Sequence, residues 1–278
     1  MNRRIWVGVA ASVAVALAGG VAVQGIAAQG PDRPEPAPAP RGPDGRVSFT
    51  GSPDDVGNWQ GPAAAALFYT IRDGRRINAP SSLPTNPTVD EIPFKPGFRE
   101  IYDARADQSA DPHTRCKPSG GSRFWHTPYG IEIFESPETN EVFFLHVGSP
   151  HSWRVAYMDG REHPAGYGPS WYGHTTGKWE GETLVLDTVG FNEKFWLTRE
   201  GVPVTSQLHL IEKLSRPNHD ELIYEATVDD PGAYTAPWTG GWSLRWGEGS
   251  EPFDYLCQEN NRDPGRMLGS GAPPERDR

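Results

Sequence analysis

Short apolar runs separated by turn residues fill the chain from residue 129 onward. Their spacing predicts nine strands, over residues 131–135, 141–147, 153–158, 175–179, 183–189, 207–215, 221–228, 241–246 and 253–258. The connections are rich in Gly, Pro, Asn and Asp, which hairpin turns prefer. Because no segment of helical length separates the strands, we expect successive strands to be antiparallel.

Alternation within the strands indicates which side faces the core. Residues 221–229 place Leu, Tyr, Ala and Val on one side and mostly polar residues on the other. Residues 183–189 are apolar on both sides, which predicts a central, buried strand. The pattern predicts an all-β fold, an antiparallel meander closed as a lipocalin-like barrel or folded as a sandwich.

The chain before residue 123 has no such alternation. Its Pro-rich residues 78–97 predict a loop laid over other elements. One helix is expected over residues 97–107, because Phe98, Ile101 and Tyr102 share a stripe at helical spacing.

The first 28 residues have the order of a secretory signal sequence. Arg3 and Arg4 precede an apolar run from Ile5 to about Val23, and small residues follow up to Ala28. The run is nearly long enough to span a bilayer, so an uncleaved anchor is the alternative. We predict cleavage and a periplasmic or secreted location.

Composition divides the remaining chain. Residues 29–46 predict a disordered Pro-rich tether, residues 47–262 a single β-rich domain, and residues 263–278 a disordered tail. The formal net charge of -10 disfavours binding to phosphate backbones and anionic lipid. We therefore expect a small-molecule ligand or substrate as partner, with no nucleic acid and no membrane association after signal cleavage.

The chain has two cysteines, Cys116 and Cys257. In an oxidising compartment a disulfide between them is the default, and two free buried thiols or one reactive thiol are the alternatives. Neither CxxC spacing nor a nearby metal-ligand pattern favours other chemistry.

The richest polar and aromatic segment spans residues 163–192. Counted outward from a turn at Glu180 and Gly181, His174 and Asp187 lie nearly opposite each other. A carboxylate beside a histidine can orient the imidazole as a general base. The alternative is a structural hydrogen bond without turnover. In either case Asp187, between two valines, needs a partner.

Residues 207–215 supply two further candidates for proton transfer. Alternation places His209 and Glu212 on opposite sides of this strand, so they are not a local acid-base pair. Glu212 in an apolar row could be a buried carboxylate with a raised pKa, and the alternative is an exposed strand end. We expect Glu212 or His209 to be the second proton donor.

Other chemistries have weaker support. Histidines are spread along the exported part, but no HxH or HExxH spacing occurs, so we expect no cofactor and leave a metal open. No GxSxG motif marks a serine nucleophile.

Aromatic residues on predicted loops suggest a ligand pocket. Trp171, Trp196 and Trp238, with Tyr234 and Asn192, could bind a sugar or an aromatic ligand. The alternative is that the tryptophans belong to the core.

Five strings resemble an abundant group of exported hypothetical proteins of soil and aquatic bacteria. They are TPY (residues 127–129), DGREHP (159–164), GHTTGKWEGETLVLDTVGFN (173–192), LHLIEK (208–213) and CQENN (257–261). The resemblance implies export and assigns no reaction and no site residues. Residues 202–205, Val-Pro-Val-Thr, depart from a His-Pro-His-Ser type of stretch expected there.

Three functional hypotheses follow. The first is an exported lyase, isomerase or hydrolase acting on a small carbohydrate or aromatic compound, with His174 as base and Asp187 as its orienting group. The second is a non-catalytic, lipocalin-like binding protein whose tryptophans stack on the ligand. The third is a structural envelope protein.

Overall fold

The computed structural model describes residues 35–61, 66–77, 81–126, 129–146, 148, 152–257 and 259. Within them, nine strands close a barrel in the order β1-β11-β10-β9-β8-β7-β6-β5-β4, and β2 and β3 form a separate hairpin. The predicted all-β barrel is confirmed. The strands are β1 Gly57–Gln60, β2 Thr70–Arg72, β3 Arg75–Ile77, β4 Ile131–Ser136, β5 Glu141–His146, β6 Trp153–Tyr157, β7 His174–Glu180, β8 Thr183–Val189, β9 His209–Asn218, β10 Glu221–Asp229 and β11 Trp238–Glu248.

Helical structure is short. The α-helix α1 spans Phe98–Ala104, inside the predicted range, and 3-10 helices span Val89–Glu91, Pro112–Arg115 and Gly121–His126. In the described ranges, none of the helices has the length and apolar character needed to cross a membrane. The predicted signal sequence and the predicted tail after residue 262 lie outside these ranges.

One predicted strand is absent from the described residues, and a strand that the sequence did not predict closes the barrel. Residues 251–256 form no strand, in contrast to the last strand predicted over 253–258. The strand that closes the barrel is β1, which pairs with β11 and meets β4 through Trp59 and Ile131. With the sequence Gly-Asn-Trp-Gln, β1 is too short and too polar for alternation to reveal it.

The order of strands departs from an antiparallel meander at one place. β6 and β7 are parallel, with Ala156 opposite Thr175 and Tyr157 opposite Thr176. Residues 158–173 connect them and contain no helix. Parallel neighbours need a connection of about a dozen residues or more, and this segment provides it. We call residues 158–173 the crossover loop.

Side chains fill the inside of the barrel. The 3-10 helix Gly121–His126 contributes Phe124 and Trp125, both fully buried. The Trp125 ring lies 5.2 Å from the rings of Phe144 and Tyr224, measured between centroids. In this part the interior is a packed core and not the open ligand cavity of a lipocalin-like barrel.

A buried ion pair crosses this interior. Arg154 of β6 binds both carboxylate oxygens of Glu212 on β9, and the Glu212 side chain is 0% exposed. Trp125 Nε1 donates to Glu212 Oε1 at 2.8 Å, and the Tyr224 hydroxyl donates to the same oxygen at 2.9 Å. Burial raises the pKa of Tyr224, so it remains a donor.

Two threonines complete the hydrogen bonding of the arginine. Arg154 Nε donates to Thr175 Oγ1 at 3.1 Å, and Arg154 Nη2 donates to Thr188 Oγ1 at 2.9 Å. Each guanidinium nitrogen therefore has an acceptor, as a buried charge requires.

The segment before β1 packs on the end of the barrel near the β9–β10 turn. His219 N donates to Ala37 O, and Arg216 Nη1 donates to Ser48 O. Phe49 stacks on Trp179 at 5.7 Å between centroids. From Ala37 onward these contacts differ from the disordered tether expected over residues 29–46.

Cys116 and Cys257 form the expected disulfide. It links the end of the 3-10 helix Pro112–Arg115 to the irregular segment after β11. A disulfide of this kind is typical of a non-cytoplasmic environment.

We expect Arg154→Met to lower the free energy of unfolding by about 3–5 kcal/mol, because Glu212 would be left as a buried carboxylate without its cation. Urea denaturation measures the change. The matched control is Lys178→Ala, which breaks the exposed pair with Glu180 and should cost about 1 kcal/mol or less. Equal losses in the two variants would contradict a stabilising role for the buried pair.

Cys257→Ser should lower the free energy of unfolding by about 2–5 kcal/mol, because the bridge closes a loop between residues 141 positions apart. Denaturation of oxidised wild type and the variant gives the difference. Adding a reductant should lower the stability of the wild type alone. Loss of stability in both proteins would point to an effect other than the bridge.

Candidate functional site

The outer wall of β7, β8 and β9 carries the predicted catalytic histidines and aspartate. His174, Asp187 and His209 all point away from the barrel interior, on the sides opposite Thr175, Thr188 and Leu210. The site therefore lies outside the barrel.

The hairpin register differs from the predicted one by two residues. His174 lies opposite Val189, and Asp187 lies opposite Thr176, because the turn is formed by residues 181 and 182. A shift of two preserves the side on which every residue points. His174 and Asp187 consequently share the outer face, as diagonal neighbours.

His163 of the crossover loop joins the two predicted residues. Its Nδ1 lies 2.8 Å from His174 Nδ1, and its Nε2 lies 3.1 Å from Asp187 Oδ1. His209 Nε2 lies 2.7 Å from the same Asp187 oxygen. The prediction that Asp187 directly orients His174 is wrong, because His163 stands between them. The expectation that Asp187 has a partner is confirmed.

Hydrogen-bond directions follow from these contacts. A carboxylate only accepts, so the Nε2 atoms of His163 and His209 each carry a proton. A neutral His163 then has its lone pair on Nδ1, and His174 donates to it from Nδ1. This assignment leaves His174 Nε2 as the basic nitrogen.

Aromatic rings surround His174. It stacks on Tyr157 at 5.1 Å between centroids and an interplanar angle of 22°, and Tyr167 meets it edge-on at 5.3 Å. The guanidinium of Arg161 covers Tyr157 at 4.1 Å. Tyr167 packs over Gly190, which has a φ of +78° and where a Cβ would lie only 2.9 Å from Tyr167 Cδ1. The crossover loop is thereby held against β8.

The pKa of His174 lies below the ordinary value of 6.5. Burial is the main cause, and the nearby His163 and Arg161 oppose a positive charge as well. His174 is therefore neutral at neutral pH and can accept a proton. Solvent reaches the rest of the cluster, since the Asp187 side chain is 43% exposed.

Glu212 does not belong to this cluster. It points into the barrel and is bound by Arg154, whereas His209 on the same strand points outward. The prediction that these two side chains point apart is confirmed. The prediction of Glu212 as a proton donor of the His174 site is wrong, because the barrel wall separates them.

The predicted aromatic pocket is not formed by the expected residues. Trp196, Tyr234 and Trp238 are buried in the core, where Tyr234 donates its hydroxyl hydrogen to Pro203 O. Trp171 also packs on the core, and Asn192 is buried with its Oδ1 accepting from Lys194 N. The structure supports the alternative that these rings belong to the core.

Two further features bear on ligands. In the described ranges, no group of three or more His, Cys, Asp or Glu side chains is arranged to hold a metal ion. A groove of about 400 Å³ beside the β4–β5 turn is lined by charges of both signs, including Asp44, Arg46, Glu135 and Lys178. None of the predicted site residues lines it.

Comparison of the chain with protein families, with curated proteins and with solved structures finds no match. The assignment of the site therefore depends on its geometry.

The structure predicts that the pKa values of two histidines, His174 and His219, are shifted in opposite directions. His174 should titrate below pH 6.5, whereas hydrogen bonds to Asp220 and Asp55 raise the pKa of His219 above it. Histidine Cε1–H resonances followed by NMR from pH 4 to 9 measure both. His163→Gln should move the pKa of His174 upward but leave it below 6.5, because burial remains. A wild-type His174 that titrates at or above 6.5 would contradict the burial of this imidazole beside His163.

Proposed function

We propose that this protein is an exported enzyme doing acid/base chemistry on a small aromatic or carbohydrate compound at the outer-wall histidine cluster. The reaction class is a lyase, isomerase or hydrolase. The observation that carries the proposal is the double contact of His163, which joins His174 to Asp187 through its two ring nitrogens.

His174 is the base in this mechanism. Its Nε2 takes a proton from the substrate, and its Nδ1–H remains directed at His163. His163, which Asp187 holds through its Nε2, keeps the His174 ring oriented through the Nδ1 contact. His163 is a positioning residue, since it acts through His174.

His209 is the second group that can exchange a proton with a substrate. It shares Asp187 Oδ1 with His163, so both histidines bind one carboxylate. Its side chain is 36% exposed and accessible from solvent. In this scheme His209 enters the reaction protonated on both ring nitrogens and gives its Nδ1 proton to the substrate. His174 keeps the proton it has taken until solvent removes it, and solvent reprotonates His209. Asp187 keeps both imidazoles oriented.

The packed interior argues against the lipocalin-like binding alternative. Trp125, Phe144 and Tyr224 occupy the space where such a barrel would hold its ligand, and all three are fully buried. The tryptophans expected to stack on a ligand are largely buried as well. The outer wall is therefore the part of the barrel that best fits a substrate.

A screen in D₂O tests the proposal. Small carbohydrates, lactones and aromatic compounds are incubated with the protein, and NMR detects new products and exchange of carbon-bound hydrogen for deuterium. For a compound that is turned over, His174→Ala should lower kcat by about 100- to 10,000-fold, because the base is lost. Asp187→Asn and His163→Gln should lower kcat by smaller factors.

His219→Gln is the matched control. His219 also binds two carboxylates, but it lies away from the cluster, so its replacement should leave kcat unchanged. The acidic limb of the rate profile in wild type should lie below pH 6.5, following the lowered pKa of His174. Full turnover by the His174→Ala variant would overturn the assignment of this site.

A further inference from the structure

An apolar strip lies on the outer wall beside the histidine cluster. Six outward-facing side chains of three neighbouring strands form it, and we call them the outer strip: Phe134 of β4, Phe143 and Leu145 of β5, and Trp153, Val155 and Tyr157 of β6.

The pairing of the strands makes the strip continuous. Leu145 lies opposite Trp153 and Phe143 opposite Val155. Phe134 lies opposite Phe143, with their ring centroids 6.4 Å apart. Trp153 is 61% exposed and Phe134 is 51% exposed, although both could have been polar at no cost to the core. Contiguous apolar patches of a few hundred Å² are often functional, which makes the strip a candidate binding surface.

The strip leads to the proposed base. The parallel pairing of β6 with β7 places Val155 level with His174 on the outer wall. Tyr157, at the end of the strip, stacks directly on the His174 ring. A molecule lying on Trp153 and Val155 therefore has its edge next to His174.

The size of the strip favours a small molecule over a second copy of this chain. Its strongly exposed side chains offer on the order of 300 Å² of apolar surface. A stable protein interface needs about 800 Å² from each partner. Small-molecule sites are mostly apolar with a few polar groups, which matches the strip and the adjoining histidines.

The chemistry of the strip favours an uncharged aromatic ligand. Within the strip only the Trp153 indole N–H and the Tyr157 hydroxyl can form hydrogen bonds, which is too few for the many ring hydroxyls of a sugar. The outward-facing carboxylates nearest to it belong to Glu132 and Glu141, and the chain carries a net charge of -10. The nearest cation, Arg161 over Tyr157, is already paired with Asp159, so the surrounding charge disfavours an anionic ligand.

We propose that the outer strip binds the ring of the substrate, and that the substrate is an uncharged aromatic compound whose polar group reaches His174. This inference rests on the proposed function, of which it specifies the substrate class.

The test uses 1-naphthol as aromatic probe and methyl β-glucoside as sugar probe. Each is titrated into ¹⁵N-labelled protein, and the indole N–H resonance of Trp153, assigned with Trp153→Phe, is followed by NMR. We expect a saturable shift with 1-naphthol and none with the glucoside. Trp153→Ala should weaken 1-naphthol binding about tenfold, because its ring supplies most of the stacking surface.

Phe253→Ala is the matched control, because Phe253 is a half-exposed aromatic residue outside the strip. It should bind 1-naphthol as the wild type does. Leu145→Ser is a second strip variant that should also weaken binding, and thermal unfolding checks that each variant is folded. Unchanged affinity in both strip variants, or equal binding of the glucoside, overturns the proposal. Dimerisation in sedimentation that Trp153→Ala abolishes also overturns it, since the occupant is then a second copy.

The strip and the catalytic assignment can fail separately. His174→Ala removes the partner of the naphthol hydroxyl but keeps the stacking contacts of Trp153 and Val155, so it should weaken 1-naphthol binding clearly less than the tenfold expected of Trp153→Ala. If the strip binds 1-naphthol and His174→Ala still turns the substrate over, the assignment of His174 as base is wrong and the binding role of the strip stands. If His174→Ala loses turnover and the strip does not bind 1-naphthol, the assignment of His174 as base stands and the binding role of the strip is wrong.

Discussion

The ion pair between Arg154 and Glu212 is the interaction on which the architecture depends. Through hydrogen bonds to the two charged groups it connects β6, β7, β8, β9 and β10, and it anchors the 3-10 helix that carries Trp125. Burying two charges is costly, and the cost is offset only when their remaining donors and acceptors are bonded. Here each guanidinium nitrogen has an acceptor, and both carboxylate oxygens have donors.

This interior network also determines the geometry of the outer site. Thr175 and Thr188 bind Arg154 inside the barrel, and their sequence neighbours His174 and Asp187 point outward. Because side chains alternate along a strand, a slip by one residue would bring the histidine and aspartate inside and expel the threonines. The network that holds the core in register thus also holds the outward-facing histidine and aspartate in register, which is the support that the proposed active site would require.

The sequence predicted the fold class and most strands from β4 onward, because those strands have clear alternation and strong turn residues. It also placed His174 and Asp187 on neighbouring strands of one hairpin, and His209 and Glu212 on opposite faces of a third strand. It did not reveal His163 as a partner, since that residue lies in a loop whose path depends on a parallel pairing that alternation cannot show. Burial of Trp196, Tyr234 and Trp238 was missed for a related reason. Position on a loop says nothing about what covers that loop.

The number of strands in the barrel has a consequence for the origin of the site. Strand direction reverses at every antiparallel pair. After one full circuit of a closed barrel it must be the same as at the start, so the number of antiparallel pairs must be even. Nine strands give nine neighbouring pairs, and an odd ring needs at least one parallel pair, which is β6 with β7. A parallel pair obliges the chain to travel back along the barrel before it re-enters the sheet. The crossover loop makes this return and brings His163 to Asp187. The histidine cluster therefore exists because a barrel with an odd number of strands needs a parallel pair and a loop that crosses its outer wall.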